Sequence, residues 1–556
     1  MKRLLPILIL VLSCNALIAQ NTKQNKSTEI TKTKTTAKPK LIVGIVVDQM
    51  RYDYLTRFNS KFGNGGFKRM INEGFNCKNN HFNYVPTYTG PGHASVYTGT
   101  TPKYHGIIAN YWYNKHAKEM VYCAGDDTFE SVGTTHKAGK MSPHRMQTTT
   151  FGDENRLFTQ MKGKTIGISL KDRGAILPAG HTANAAYWFH GKTEGVWISS
   201  TFYMNTLPKW VANFNNSNAA ESYLKVWNTL YPIETYTESG SDENTFEGGF
   251  KGKETATFPY NLSKLKAKNK GFDILKATPY GNSLTADFAM AAIEGEQLGK
   301  DAITDVLTVS FSATDYVGHN FGVNSKEIQD TYLRLDKDLE RFFNYLDATV
   351  GKGDYTVFLT ADHGAVDVPN YLKSVKIPAG YLNNKATKTR LNTFLLKTFK
   401  TEGLVESLSN NQLFLNKKKI DSLGFSSNKI SEILVNELIN YKHVDKVYAA
   451  RTMTTTTNFT SGIEALLQNG FNQKRSGDLI LVPTPNYISY SKTGSTHGSG
   501  LNHDTHVPLL FFGKGIKKGE TYTKTVIPDI APTISALLGI SFPNGATGSV
   551  LEFVMD

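Results

Sequence analysis

The chain has 556 residues, with 62 Lys and Arg against 48 Asp and Glu, for a formal net charge of +14. That length allows a large α/β domain with insertions, or two to four domains. The lysines are scattered among acids and no basic run alternates with aromatics, which speaks against a nucleic-acid partner and for a surface that attracts small anions.

Met1 to Gln20 reads as a signal peptide: Lys2 and Arg3, then the apolar LLPILILVLS, then the small residues of CNALIAQ. Cleavage after Ala19 would leave no transmembrane segment in a periplasmic or secreted mature chain. Cys14 in VLSC keeps a lipid anchor open as a second route. Residues 20–38, rich in Thr, Lys, Asn and Ser, read as a flexible tether, and 39–556 as the folded domain. Cys77 and Cys123 could pair in an oxidising compartment or stay free.

The folded part opens with LIVGIVVD, an apolar strand that runs into Asp48, followed by the helical-looking FNSKFGNGGFKRMINEGF. PTYTGPGHASVYTGTTPKYHGIIAN is a Gly-punctuated segment with Thr89 before the glycines and a helix expected from near His93. KTIGISL is a strand; after it comes SLKDRGAILPAGH, where Lys171 and Arg173, two apart on an extended segment, would point to one side. From about 185 to 280 the composition turns aromatic, Asn- and Thr-rich, which reads as an insertion capping a site.

The core pattern resumes with the amphipathic SLTADFAMAAIEGEQLG and the strand of DVLTVSFSATDYVGH, which delivers Asp315 and His319. SKEIQDTYLRLDKDLERFFNYLDATV places Ile328, Leu335, Leu339, Phe342, Phe343 and Leu346 on one helical face. The strand of YTVFLTADHG then delivers Asp362 and His363. Residues 372–490 form a second insertion, with helices in ATKTRLNTFLLKTF and ISEILVNELINY and a strand in DLILVPTP. The chain returns with THGSGLNHDTHVP, carrying His497, and closes with HVPLLFFG and PDIAPTISALLG. Strand, helix, strand in this order predicts an α/β fold, a central mostly parallel sheet flanked by helices, with two large insertions over its active edge.

Three strands that each run into Asp or His would gather those ligands at the carboxyl edge of such a sheet. Carboxylate and imidazole without thiolate suit zinc. Alone, a DHG or an Asp four residues before a His is common in caps and turns. His503 and His506 are rivals to His497, while His93, His105 and His181 read better as supports of the loops around them. Thr89 has an ordinary reading as a helix cap. It also has a chemical one, because a hydroxyl at a Gly-rich entry to a helix sits beside backbone N–H groups that favour an anion, and a metal there would activate it. Asn110 could be a plain turn residue.

Taken in order, PTYTGPGHASVYTGTTPKYHGIIAN, TDYVGH, ADHG and the late THG resemble the alkaline phosphatase superfamily. Within it they are most similar to the branch of nucleotide pyrophosphatase/phosphodiesterases and phosphate-irrepressible, PafA-type alkaline phosphatases. The resemblance spans roughly residues 40 to 545. It implies two zinc ions, one held by Asp48, Asp362 and His363 with the Thr89 oxygen, the other by Asp315, His319 and His497. It makes Thr89 the nucleophile and Asn110 a phosphoryl ligand. It also likens Lys171 and Arg173 to the cation pair that separates the monoesterases from the diesterases of the branch. The expected activity is therefore hydrolysis of small phosphate monoesters through a phosphothreonine by a monomer, with no third metal. A phosphodiesterase with the same nucleophile is the alternative, and a non-catalytic zinc-binding surface protein a more distant one.

Overall fold

The computed structural model describes residues 38–455 and 458–556. The expected signal peptide and all but the last residue of the tether lie outside the described residues.

The centre is a ten-stranded sheet. Its strands in chain order are β1 (Leu41–Val47), β2 (Phe75–Cys77), β3 (Ser131–Val132), β4 (Thr165–Ser169), β5 (Ala185–His190), β6 (Val196–Ser200), β7 (Asp305–Phe311), β8 (Tyr355–Thr360), β9 (Leu509–Gly513) and β10 (Gly519–Thr521). Across the sheet they run β10-β2-β9-β8-β1-β7-β4-β5-β6-β3. The five strands β8, β1, β7, β4 and β5 are mutually parallel. β9 and β6 join antiparallel at either side of them. A parallel sheet covered on both faces needs strands that are apolar throughout, and every residue of β1, β7 and β8 is buried.

Residues 185–200 do not belong to the first insertion, as their composition suggested. They form β5 and β6 of the main sheet, so the excursion starts after Ser200. Aromatic strands of this kind pack on a sheet as well as aliphatic ones; Trp197 stacks on Phe288 at 4.1 Å.

Five helices position the site: α1 (Thr89–Thr98), α2 (Asp172–Ala179), α3 (Pro279–Gly295), α4 (Ala313–Phe321) and α5 (Lys326–Leu346). Ser325 caps α5 by accepting the Ile328 N–H, and the six apolar residues expected on its face are all buried. α3 is buried around most of its circumference rather than along one stripe. FNSKFGNGGFKRMINEGF forms only a short turn and the helix Phe67–Glu73, because its glycines interrupt it.

The excursion between Ser200 and α3 is tied to α5 by buried polar contacts. Trp227 Nε1 and the Tyr236 hydroxyl donate to the two oxygens of Asp330, and the Tyr260 hydroxyl donates to Glu327 Oε1 at 2.5 Å. Glu327 also meets Glu247. Burial and then the neighbouring Glu327 push Glu247 up to about 10, and burial pushes Glu327 up to about 8. Both folded values exceed the ordinary 4.5. The folded chain therefore holds protons here that the unfolded chain has released, and stability falls as pH rises from about 4.5 through 8 to 10. Glu247→Gln is expected to melt several degrees above the parent chain at about pH 9, the gain shrinking towards about pH 5. An equal gain at both pH values would show that the two carboxyls do not share a proton.

Residues 372–490 carry a separate four-stranded sheet in the order Val405–Ser409, Gln412–Leu415, Leu479–Pro483, Val444–Ala449, with antiparallel neighbours. Helices Asn384–Phe399 and Ser427–Leu438 supply Leu391, Leu395 and Leu434 to its own core, beside Leu413 and Leu479.

Candidate metal centre and nucleophile

Four neighbouring parallel strands end on one edge of the sheet. β8 leads to Asp362 and His363, β1 to Asp48, β7 into α4 with Asp315 and His319, and β4 to Lys171. Val47 pairs with Phe311 and Val46 with Thr360, so the residues that follow emerge side by side. Strands in a sheet lie about 4.8 Å apart, a spacing that lets side chains from adjacent strands share one ion.

Two groups of potential ligands result: Asp48, Asp362 and His363; and Asp315, His363 and His497. His363 faces both, and its ring stacks on that of His497 at 3.4 Å. His319 adjoins the second group, its Nε2 3.2 Å from Asp315 Oδ1. Each imidazole turns its other nitrogen to a backbone carbonyl: His319 Nδ1 to Ser495 O at 2.7 Å, His497 Nδ1 to Thr87 O at 2.7 Å and His363 Nδ1 to Gly364 O at 3.0 Å. In His363 and His497 this sets the tautomer with Nδ1 protonated and Nε2 as the inward lone pair, the usual preparation of a metal ligand. In His319 burial is outweighed by the Asp315 carboxylate facing Nε2, which raises the imidazole above its ordinary value. Asp48 Oδ1 and Asp362 Oδ2 are buried without a hydrogen bond, while Asp48 Oδ2 is met by the Lys171 ammonium. Buried, unsatisfied carboxylates among Nε2 lone pairs fit a zinc-type ion.

The electrostatics agree. Burial, then Asp362, raises the Asp48 carboxyl well above its usual range, and burial raises Asp362 to about 7. Asp315 is also penalised by burial, but His319 and Lys171 outweigh this and hold it well below. Burial lowers His497 to about 3 and pushes His363 well below its usual value, so both rings are neutral.

α1 starts at Thr89, not near His93, with Tyr88 as an extended N-cap. A Cβ on Gly92 would overlap the Asp362 backbone oxygen, so the glycine lets the helix lie directly on that strand end. Thr89 does not act as a cap; its Oγ1 lies 3.5 Å from His363 Nε2 and 3.4 Å from Lys171 Nζ. Asn110 Oδ1 accepts the Gly90 N–H at 2.7 Å, which fixes its amide beside the start of α1.

Lys171 and Arg173 do not share an extended segment. Lys171 is the N-cap of α2, and Arg173 lies on the helix. Gly174 and Pro178 disguise α2 in the sequence, because both are poor helix formers. Lys171 Nζ lies 2.7 Å from Asp48 Oδ2 and 2.6 Å from Asp315 Oδ2, between the two ligand groups. Arg173 Nη1 instead meets the Tyr122 hydroxyl at 3.2 Å. Both cations line a cavity of about 780 Å³ shared with Tyr111, Tyr122 and Tyr316. A second cavity, of about 1110 Å³, borders Tyr88 and His497 and reaches the 372–490 lobe.

The other histidines stand outside the ligand groups. His93 Nδ1 meets the Thr89 carbonyl at 2.9 Å and His105 Nε2 the Ser95 hydroxyl at 2.9 Å, both bracing α1. His506 stacks on Tyr52 and His81, and His503 lies 3.4 Å from the Ser499 hydroxyl. His181 is half-buried just beyond α2. Cys77 and Cys123 are both free thiols. Sequence reasoning missed Gln49, whose backbone N–H donates to Asp362 Oδ1 at 3.1 Å and whose amide donates to Asp315 Oδ1 at 2.8 Å.

The profile described as type I phosphodiesterase / nucleotide pyrophosphatase matches residues 42–507. Alkaline phosphatase PafA of Elizabethkingia meningoseptica is 45% identical over 528 residues, covering 94% of this chain and 96% of that protein. A Myroides odoratus protein named calcium-transporting ATPase is 46% identical over 528 residues, covering 93% of this chain and 95% of that one. A crystal structure of wild-type PafA matches with a TM-score of 0.90 at 45% identity, over 93% of this chain and 99% of that one. Among the described residues no helix is long and apolar enough to cross a membrane.

Proposed function

The chain belongs to the type I phosphodiesterase / nucleotide pyrophosphatase family, and on that premise we propose that it is an alkaline phosphatase that hydrolyses phosphate monoesters through a phosphothreonine. The observation that carries this reading is the setting of Thr89. Its hydroxyl begins a helix, lies within 3.5 Å of both Lys171 and His363, and stands over two groups of buried carboxylates and imidazoles. The likeness to PafA, an alkaline phosphatase, supports it.

Two zinc ions per chain suit these donors, with Asp48, Asp362 and His363 beside Thr89 holding one and Asp315, His319 and His497 the other. When bound, they supply the Lewis acidity that makes an alkoxide and a hydroxide available near neutral pH. The chain's own groups do the rest. Thr89 Oγ1 attacks phosphorus in line, the P–O bond to the alcohol breaks, and the phosphoryl group becomes an ester of Thr89. Water then attacks from the side the alcohol vacated, freeing orthophosphate and restoring the hydroxyl. The N-terminus of α1 favours the anion, and Asn110, its Oδ1 committed to Gly90, has Nδ2 left to meet a phosphoryl oxygen. Lys171 and Arg173 complement the added charge of a monoester dianion, which a diester lacks. The mature chain acts outside the cytoplasm as a monomer on small molecules, without a nucleic-acid partner.

The test is kcat/KM for an aryl phosphate monoester and the matching diester, measured side by side at alkaline pH on zinc-loaded protein. A strong monoester preference is expected, with activity lost to a chelator and restored by zinc. A diester preference would keep Thr89 and the metal groups but make the chain a phosphodiesterase.

A further inference from the structure

Gln49 follows Asp48 directly and is buried, yet its φ of +65° lies in the left-handed region that favours glycine. A glutamine held there needs a compensating interaction, and backbone strain of this kind collects at functional sites. The conformation aims two donors in two directions. The backbone N–H reaches Asp362 Oδ1 in one ligand group, and the side-chain amide reaches Asp315 Oδ1 in the other.

The facing helix is shaped to admit it. Gly318 lies on α4 between Asp315 and His319, and a Cβ there would overlap the Gln49 amide oxygen. The φ of Gln49 and the glycine on α4 are separate features of the chain that serve one contact. Thr314 adds a tie between the same elements, its hydroxyl donating to the carbonyls of Asp48 and Phe311.

We propose that Gln49 is a positioning residue whose side chain orients Asp315 for the second metal, while its backbone N–H separately braces Asp362 in the first group. This rests on the two-metal reading above. Partners that orient metal ligands typically govern affinity by about 10- to 100-fold. The side-chain bond serves only the Asp315 group, whereas the bond to Asp362 comes from the backbone and survives substitution. Loss of the side chain should therefore weaken one zinc and spare the other.

The experiment uses Gln49→Gly, which suits the left-handed backbone, together with Gly318→Ala and the double variant. Zinc stoichiometry and affinity are read by chelator competition, and apo-protein Tm by thermal melt. The parent chain should bind two zinc ions. Gln49→Gly should hold one normally and the other about 10- to 100-fold more weakly, with an apo Tm equal to or above that of the parent. Gly318→Ala should show the same selective loss. The double variant should be no worse than the more impaired single, because both changes break one contact. Two unaltered zinc affinities in Gln49→Gly would overturn the role of Gln49 and leave the two-metal reading intact. Fewer than two zinc ions on the parent chain would overturn the two-metal reading itself. Equal weakening of both ions with a lowered Tm would mark Gln49 as merely structural.

Discussion

Thr89→Ala is expected to lower kcat/KM for an aryl phosphate monoester by about ten-thousandfold or more, the scale on which hydrolases lose activity with their nucleophile. The change removes one hydroxyl from the first residue of α1 and leaves Tyr88 as the N-cap, so the helix and its N–H groups should persist. Zinc content should stay close to that of the parent, because Asp48, Asp362 and His363 remain. Thr89→Ser should recover much of the rate. Acid quenching during turnover should trap one phosphoryl group on the peptide containing residue 89 in the parent and the serine variant, and none in the alanine variant. A near-normal rate for Thr89→Ala would mean that water attacks the substrate directly and that Thr89 only shapes the helix entry.

Lys171→Ala should lower monoester kcat/KM by about a hundred- to thousandfold, the usual cost of removing one preorganised donor to a developing charge, and lower diester kcat/KM far less. Lys171 Nζ is 3.4 Å from Thr89 Oγ1, which places it where a phosphoryl oxygen would meet it. It also sits between Asp48 and Asp315, and that second contact offers a competing role: keeping two buried carboxylates from repelling each other. The two roles have different signatures. A phosphate clamp discriminates between dianion and monoanion substrates, whereas a brace for the ligands affects both alike and lowers zinc affinity with them. Equal losses on both substrates, accompanied by lost zinc, would move Lys171 from substrate recognition to upkeep of the metal centre. Arg173→Ala should show the same discrimination with a smaller loss, since Arg173 hands part of its hydrogen bonding to Tyr122.

Much of this edge was legible because each parallel strand is a short apolar run that stops at a polar residue. LIVGIVVD, DVLTVSF and YTVFLT carry that signal without help from the rest of the chain. The fold class follows from the strands and helices alternating between them. What stayed hidden depends on partners distant in sequence. Residues 185–200 looked like an excursion because aromatic strands lack an aliphatic signature, and only pairing with β4 places them in the sheet. α2 and the start of α1 were obscured by Gly and Pro, whose poor helix propensity is overcome by packing. The contact of His363 with both ligand groups depends on β1 lying between β7 and β8. Gln49 gave no sign at all: nothing local in DQM marks a left-handed backbone, and its two carboxylates come from elsewhere in the chain.

The order of the sheet has a consequence for how the protein is made. β1 is the first of the ten strands to leave the ribosome, yet its two neighbours, β7 and β8, come much later; one bond beside it, from Gln49 to Asp362, closes a loop of 313 residues. Contacts of such length form slowly. Until they form, LIVGIVV remains an unpaired apolar strand rich in β-branched residues, uncharged along its length and guarded only at its ends by Lys40 and Asp48, the kind of segment that associates with copies of itself. The chain is thus most vulnerable while its eventual centre has no neighbours, and a holding chaperone should improve its yield more than added zinc, because the ligands cannot converge before β7 and β8 have closed on β1.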